Sequence, residues 1–343
     1  MFRKLLPRRA DGIVQLLSSV IVTLFLLVTL TFFLGQVMPV DIVSRLVGPD
    51  ADSQTYEAMT RRLGLDQPIW EQFRLYIGRI ITGDFGTALL TGNQVRDDIL
   101  RVFPATIELG SLALLIGAGI GIPLGVLAAV KRNTLVDHFI RVITLLGHSV
   151  PIFWLGMVGL LIFYAWLGVV GGSGRVASYY DDLVQPVTGI ILIDSAVAGE
   201  WDVFWSAIRH IILPASILGY ASMASLCRLT RSFMLDQLGQ EYIITAQVKG
   251  LSPSRVVWGH AFRNIRVQLL TVVALAYGSM LEGALLIETI FAWPGLGRLT
   301  IQAISNRDYY LVQGCILVIG LTYVTVNFLT DFLYSAVNPR IRQ

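Results

Sequence analysis

The chain has 343 residues, 55% hydrophobic and 14% charged, with 32 glycines and a mean hydropathy of +0.68, where an ordinary soluble domain is about 25% charged. That composition excludes a soluble enzyme and a disordered chain, and two cysteines inside apolar runs, Cys227 and Cys315, exclude a disulfide scaffold. The net charge is only +3, with no tract resembling a nucleic-acid arm, so the placement of charge matters more than its sum.

The chain opens with Arg3, Lys4, Arg8 and Arg9 and then runs apolar from Ile13 to Leu34, about the length that crosses ~30 Å of hydrocarbon at 1.5 Å per residue. A cleavable signal peptide has an apolar core of about 7–15 residues and a small-residue cleavage site; neither is present, so an uncleaved first span is expected. Further apolar runs at 104–130, 139–167, 209–231, 269–291 and 310–335 predict an all-α integral membrane protein with six transmembrane helices. Segments 1–12, 131–141, 228–266 and 336–343 carry 15 basic and 4 acidic residues, whereas the opposite-side segments 36–101, 168–209 and 292–309 carry 11 basic and 15 acidic. The bias predicts that both termini are cytoplasmic. The expected division is 1–103 (N-terminus, first span and outer insertion), 104–335 (five-helix core with a cytoplasmic loop over 232–268) and a tail at 336–343.

In chain order, segment 36–101 mixes Pro39, Pro49, Pro68, Gly83 and Gly86 with amphipathic stretches such as Tyr56 to Leu65, and predicts a small folded element on the outer side. The second span carries Gly117, Gly121 and Gly125 at i, i+4, i+8, a smooth face for close helix packing and a candidate subunit contact. Gly119-Ile120-Gly121 meets Leu124 where a dinucleotide fingerprint needs a third glycine. Residues 168–209, with Asp181-Asp182, Trp201 and Trp205, suit an interfacial loop. Acidic residues inside hydrocarbon are costly and mark candidate transport paths. Glu282 and Glu288 lie deep but about 240° apart around a helix, while Glu108 and Asp331 sit near span ends, where helix-end interactions account for them. Arg228 and Arg231 at the cytoplasmic end of the fourth span are path candidates too, or else positive-inside anchors.

Between the fourth and fifth spans the sequence predicts two short helices and a turn, a rigid knob below the membrane. Glu241, Thr245 and Lys249 form a polar stripe, and Ile243, Ala246 and Gly250 a stripe of apolar or small residues. Gly250 breaks the helix, and Ser252 with Pro253 starts the next. The knob is either a docking surface, with Ala246 and Gly250 permitting close approach, or an interfacial helix resting on lipid. No Gly-Lys dipeptide occurs, hence no phosphate-binding loop of the G-x-x-x-x-G-K-[ST] type, so any ATP-driven motion must be powered from outside the chain.

Ala246 and Gly250 match the alanine–glycine signature of the cytoplasmic loop in membrane subunits of binding-protein-dependent ABC importers, which the chain resembles. It is most similar to the first permease subunit of the dipeptide, oligopeptide and nickel branch. The similarity runs through Arg61 to Pro68, Gly83-Asp84-Phe85-Gly86, Phe103-Pro104-Ala105-Thr106-Ile107-Glu108-Leu109, Gly121 to Gly125 and Ser149-Val150-Pro151-Ile152-Phe153-Trp154. It continues through Ser173-Gly174-Arg175, Ile211 to Ala215, Lys249 to Ser252, Glu288 to Gly297 and Val337-Asn338-Pro339-Arg340. Pro186 to Gly189 followed by Leu192-Ile193-Asp194 resembles the dipeptide permease subunits in particular, whereas Gln268 and Val169 to Gly172 depart from the family pattern.

The resemblance implies a type-1 importer permease without enzymatic activity of its own, in the bacterial inner membrane, with the insertion between helices 1 and 2 in the periplasm. It implies a second homologous permease, two cytoplasmic ATPase subunits that use ATP and Mg, and a periplasmic solute-binding protein. The cargo it implies is a di- or oligopeptide, or alternatively nickel or another small solute. Glu241, Ala246, Lys249, Gly250 and Leu251 are then the expected ATPase-coupling residues. Two enzyme readings fail. Gly171-Gly172-Ser173-Gly174 fits a rhomboid-like serine motif, but the four histidines are misplaced for it, and no histidine precedes a glutamate as a zinc protease requires. An ion-driven secondary transporter using Glu282 and Glu288 is the remaining rival.

Overall fold

The computed structural model describes residues 8–37, 42–48 and 52–337, and among these it is all-α. The helices are α1 (Arg8–Val37), α2 (Ile42–Val47), α3 (Ser53–Leu63), α4 (Ile69–Thr82), α5 (Val95–Val130), α6 (Leu135–Ser149), α7 (Ile152–Gly159) and α8 (Ile191–Ala198). They continue with α9 (Trp201–Leu238), α10 (Glu241–Val248), α11 (Phe262–Ile290), α12 (Leu296–Ser305) and α13 (Tyr309–Val337). π-Helical turns over Leu160–Trp166 and Arg255–Ala261 extend α7 and lead into α11.

Five apolar helical segments are long enough to span a bilayer, in α1, α5, α9, α11 and α13; α6 and α7 make a sixth if counted as one broken span. The run 139–167 is therefore not a single straight crossing. Pro151 has no amide hydrogen to donate and pushes Val150 into extended backbone, so α6 stops at Ser149 and α7 leaves it at 100°.

The chain forms two compact units. The first contains residues up to Phe103 together with Leu299–Phe328, so a C-terminal stretch joins the N-terminal segment rather than the core to which chain order assigned it. Phe32, Tyr76 and Leu317 form its core with Phe73 and Phe85. The Tyr76 hydroxyl donates to Thr31 Oγ1 at 3.0 Å, and Gln313 Nε2 donates to the Thr31 carbonyl at 3.0 Å. The described residues of segment 36–101 include α2, α3 and α4, in line with the folded element that its pattern predicts. Buried Asp98 accepts hydrogen bonds from Thr91, Asn93 and Arg101, and Asp308 accepts the amides of Leu90 and Leu311, the latter at the start of α13.

The second unit, Pro104–Arg298 with Leu329 onward, is organised on α9. Gly117, Gly121 and Gly125 of α5 face Gly219, Met223, Cys227 and Thr230 of α9 so closely that a Cβ on Gly121 would stand 2.7 Å from the Met223 carbonyl oxygen. The smooth face thus serves packing inside this chain instead of a subunit contact. A second cluster joins Ile211 and Leu218 of α9 to Leu109 and Ala113 of α5 and to Met280, Ala284 and Ile287 of α11. At the other end of α6, the Arg231 guanidinium holds the fully buried Asp137 carboxylate through two hydrogen bonds of 2.8 Å, with the Asn133 amide donating at 3.0 Å.

Because backbone cannot yield as a flexible side chain does, Gly121→Leu should destabilise the fold by about 1–3 kcal/mol or more, read as a lower melting temperature in detergent. Gly119→Leu is the control, since a Cβ there meets nothing within 4 Å and should leave the melting temperature unchanged.

Candidate functional site

Three features of the second unit carry chemistry. The first is a polar lock where α5, α11 and the connection before α9 meet. Glu288 is fully buried; Thr106 Oγ1 donates to its carboxylate at 2.7 Å and the Arg298 amide donates at 3.0 Å. Thr106 Oγ1 also accepts the Leu296 amide at 2.7 Å, and Trp293 Nε1 donates to the Ala105 carbonyl at 2.9 Å. A Cβ on Gly295 would fall 2.3 Å from the Glu288 carboxyl, which explains a residue without one. Glu108, also buried, binds the Arg175 guanidinium and accepts the Leu192 amide at 2.9 Å. Arg175 in turn donates to the Gly189 carbonyl at 3.0 Å and lies over the Trp293 ring, 5.7 Å from its centroid. Motifs scattered through the sequence at 103–109, 173–175, 187–194 and 288–297 therefore converge on one network.

Asp194 closes the loop before α8, accepting the amides of Val187, Thr188 and Gly189 and the Thr188 hydroxyl at 2.7–3.2 Å. Burial raises the cost of ionising it, but the bonds from Thr188, Gly189 and Val187 together outweigh burial and hold the carboxyl below its ordinary value. A carboxylate with a lowered native pKa stabilises above the unfolded value, about 3.9, and this support fades as pH falls through the native one. Proteolytic protection of residues 183–195 should thus persist at neutral pH and be lost under acid. Asp194→Asn should weaken protection at neutral pH, by about 1–3 kcal/mol, and bring it to the level the unaltered chain shows under acid.

The second feature is the knob. α10 ends at Val248, Gly250 takes φ +78°, and the next helix begins at Pro253. Ile243 and Ala246 are buried against Val126 and Ala129 of α5, Met234 of α9, and Val256, Ala261 and Ile265; Leu251 packs on the same cluster. Ala246, buried, and Leu251, half-buried, thus fasten the knob to its own spans. Glu241, Thr245, Lys249 and Gly250 are exposed, beside Ile244 at 56% and Val248 at 83%. Ile244 and Val248 are an i, i+4 apolar pair that belongs to neither of the stripes read from the sequence. A Cβ on Gly250 would meet no atom within 4 Å, so its left-handed backbone, not crowding, requires glycine.

The third feature is a pair of cavities beside α9. One, of about 490 Å³, is lined by Gly147, His148, Ser222, Ser225, Ser279 and Gly283 among others. The second, of about 500 Å³, is lined by Thr144, Arg228, Arg231 and Asp236 among others. Both lie in the size range of small-molecule sites. Of the path candidates, Arg228 borders a cavity, Arg231 does so while committed to Asp137, and Glu288 is enclosed in the lock. The backbone of Glu282 lies in α11, and its side chain is outside the described residues, as is that of Asp331. Ser173 is exposed, and among the described residues no hydrogen bond joins it to a histidine; His210 Nδ1 is bonded to the Ser206 carbonyl at 2.7 Å.

Comparison with known proteins agrees with this architecture over nearly the whole chain. Residues 121–343 match the family described as binding-protein-dependent transport system inner membrane component, and residues 10–110 match its N-terminal counterpart. The chain is 43% identical over 331 residues to the di/tripeptide transport system permease protein DppB of Pseudomonas aeruginosa, covering 96% of this chain and 98% of that one. It is 42% identical over 333 residues to the dipeptide transport system permease protein DppB of Escherichia coli, with the same coverage of each. The glutathione transport system permease protein GsiC of Escherichia coli is 34% identical over 330 residues, again covering 96% of this chain and 98% of the relative. This chain belongs to the family of inner-membrane components of binding-protein-dependent transport systems, as a multi-pass ABC permease of type 1.

Proposed function

We propose that the chain is one translocation subunit of an ATP-driven importer that passes dipeptides or short oligopeptides from a periplasmic binding protein to the cytoplasm. In this reading it pairs with a second homologous permease, and two ATPase subunits below it bind ATP and Mg. Both termini face the cytoplasm, which the positive-inside bias supports. The peptide cargo rests on the likeness to permeases named for dipeptides and di/tripeptides. The relative named for glutathione keeps another small solute as the alternative.

The observation that carries the coupling role is the knob's two-sidedness. Ile243, Ala246 and Leu251 fasten it to the ends of α5, α9 and α11, while Ile244 and Val248, flanked by Glu241, Thr245 and Lys249, face outward. A body fixed on one side and seated in a moving ATPase on the other acts as a lever. ATP favours one ATPase arrangement, and differential binding of the knob transmits that preference to the spans. Gly250 sets the angle at which the lever turns back.

Purification of the tagged chain from its native membrane should recover a second permease and ATPase subunits, and recovery of the chain alone would contradict the proposal. Gly250→Val should leave insertion intact and uncouple uptake, because a β-branched residue at φ +78° carries about 1–2 kcal/mol or more of strain. Gly250→Asn, which tolerates that backbone, should retain most transport.

A further inference from the structure

We propose that Arg228, which bonds to His148 beside the two cavities, reads the carboxylate of the passing peptide. The inference rests on the peptide-importer reading and assigns a recognition chemistry within it.

His148 lines the first cavity and Arg228 the second, and the two side chains are in contact. Arg228 Nη2 lies 2.7 Å from His148 Nε2, and Ser225 Oγ is 3.3 Å from the same nitrogen. A guanidinium can only donate, so His148 accepts through an unprotonated Nε2 and is the neutral tautomer with its proton on Nδ1. The contact is a charged donor on a neutral acceptor.

The neighbouring charges differ. Arg231, three residues on, spends its fork on Asp137 at 2.8 Å in two bonds, and Arg141 stands 3.6 Å from the same carboxylate. Among the described residues Arg228 makes no ion pair, although Asp236 lines the same cavity. Arg228 therefore presents a cation without a carboxylate partner at the edge of a cavity, across His148 from walls of glycine, alanine, serine and aliphatic side chains.

A peptide carboxylate leaving water for such a path needs a compensating charge. Two parallel N–H···O bonds to a carboxylate are stronger and geometrically better matched than one bond to imidazole. The substrate would thus take Arg228 from His148, and Arg228 goes back to Nε2 when the peptide leaves. The site favours a carboxylate over a neutral solute of equal size.

The test uses the assembled importer, with its second permease, ATPases and binding protein, in proteoliposomes supplied with labelled dialanine. Arg228→Gln should lower uptake per assembled complex by about tenfold or more, the loss of one charge-assisted pair. ATP hydrolysis stimulated by the loaded binding protein should change by less than about twofold, since the knob is untouched. Uptake equal to that of the unaltered importer would overturn the inference, as would a loss that merely tracks loss of assembled complex in both Arg228→Gln and Arg228→Lys, which is the behaviour of an interfacial anchor. A second readout is independent of flux. Dialanine with loaded binding protein should slow alkylation of Ser225→Cys, and Arg228→Gln should abolish that protection; equal protection in both backgrounds would overturn the inference. If the unaltered importer moves no dialanine, the peptide reading itself fails, a result separate from the others.

Discussion

The Glu288 carboxylate, fully enclosed and held by the Thr106 hydroxyl and the Arg298 amide, ties the end of α11 to α5 and fixes the turn that follows it. Hydrocarbon offers a buried carboxylate no partner, so each must be answered by the chain. Glu108 is answered by Arg175 and the Leu192 amide, and Asp137 by Arg231 and the Asn133 amide. These contacts staple α5 to α11 and to the loop that precedes α8, and α6 to α9. Between the staples, the glycine face of α5 allows α9 to come within backbone contact.

Much of this architecture was legible in the sequence. Apolar runs marked where the spans lie, though α5 and α9 begin well before their runs and the run 139–167 is broken at Pro151; the i, i+4, i+8 glycines marked a close helix contact, and Gly250 with Pro253 marked the turn of the knob. What remained hidden was pairing across distance. Nothing local in Phe103 to Leu109 states that Thr106 will meet Glu288, since partners 182 positions apart are decided by tertiary packing. The same limit hid that Glu288, a path candidate by its depth, has both carboxylate oxygens bonded within the chain. The glycine stripe of α5 spoke of proximity without naming which helix approaches.

Periodicity likewise gave the faces of α10 but not their assignment. On spacing alone, Ile243, Ala246 and Gly250 and the opposite pair Ile244 and Val248 are equally able to turn inward. The structure seats Ile243 and Ala246 on Val126, Ala129, Met234 and Val256 and leaves Ile244 and Val248 outward. His148 was silent for a different reason: a lone histidine before Ser149-Val150-Pro151 acquires meaning only when the bend there brings it to Arg228.

The lever works only if the outward face of the knob is the one that meets the ATPase. The direct measurement is cysteine cross-linking in the assembled importer, with single cysteines placed at 243, 244, 246 and 248 in turn and cross-linked products to the ATPase scored. Ile244→Cys and Val248→Cys should give strong products, and Ile243→Cys and Ala246→Cys none. Products from the inner pair with silence from the outer pair would contradict the lever.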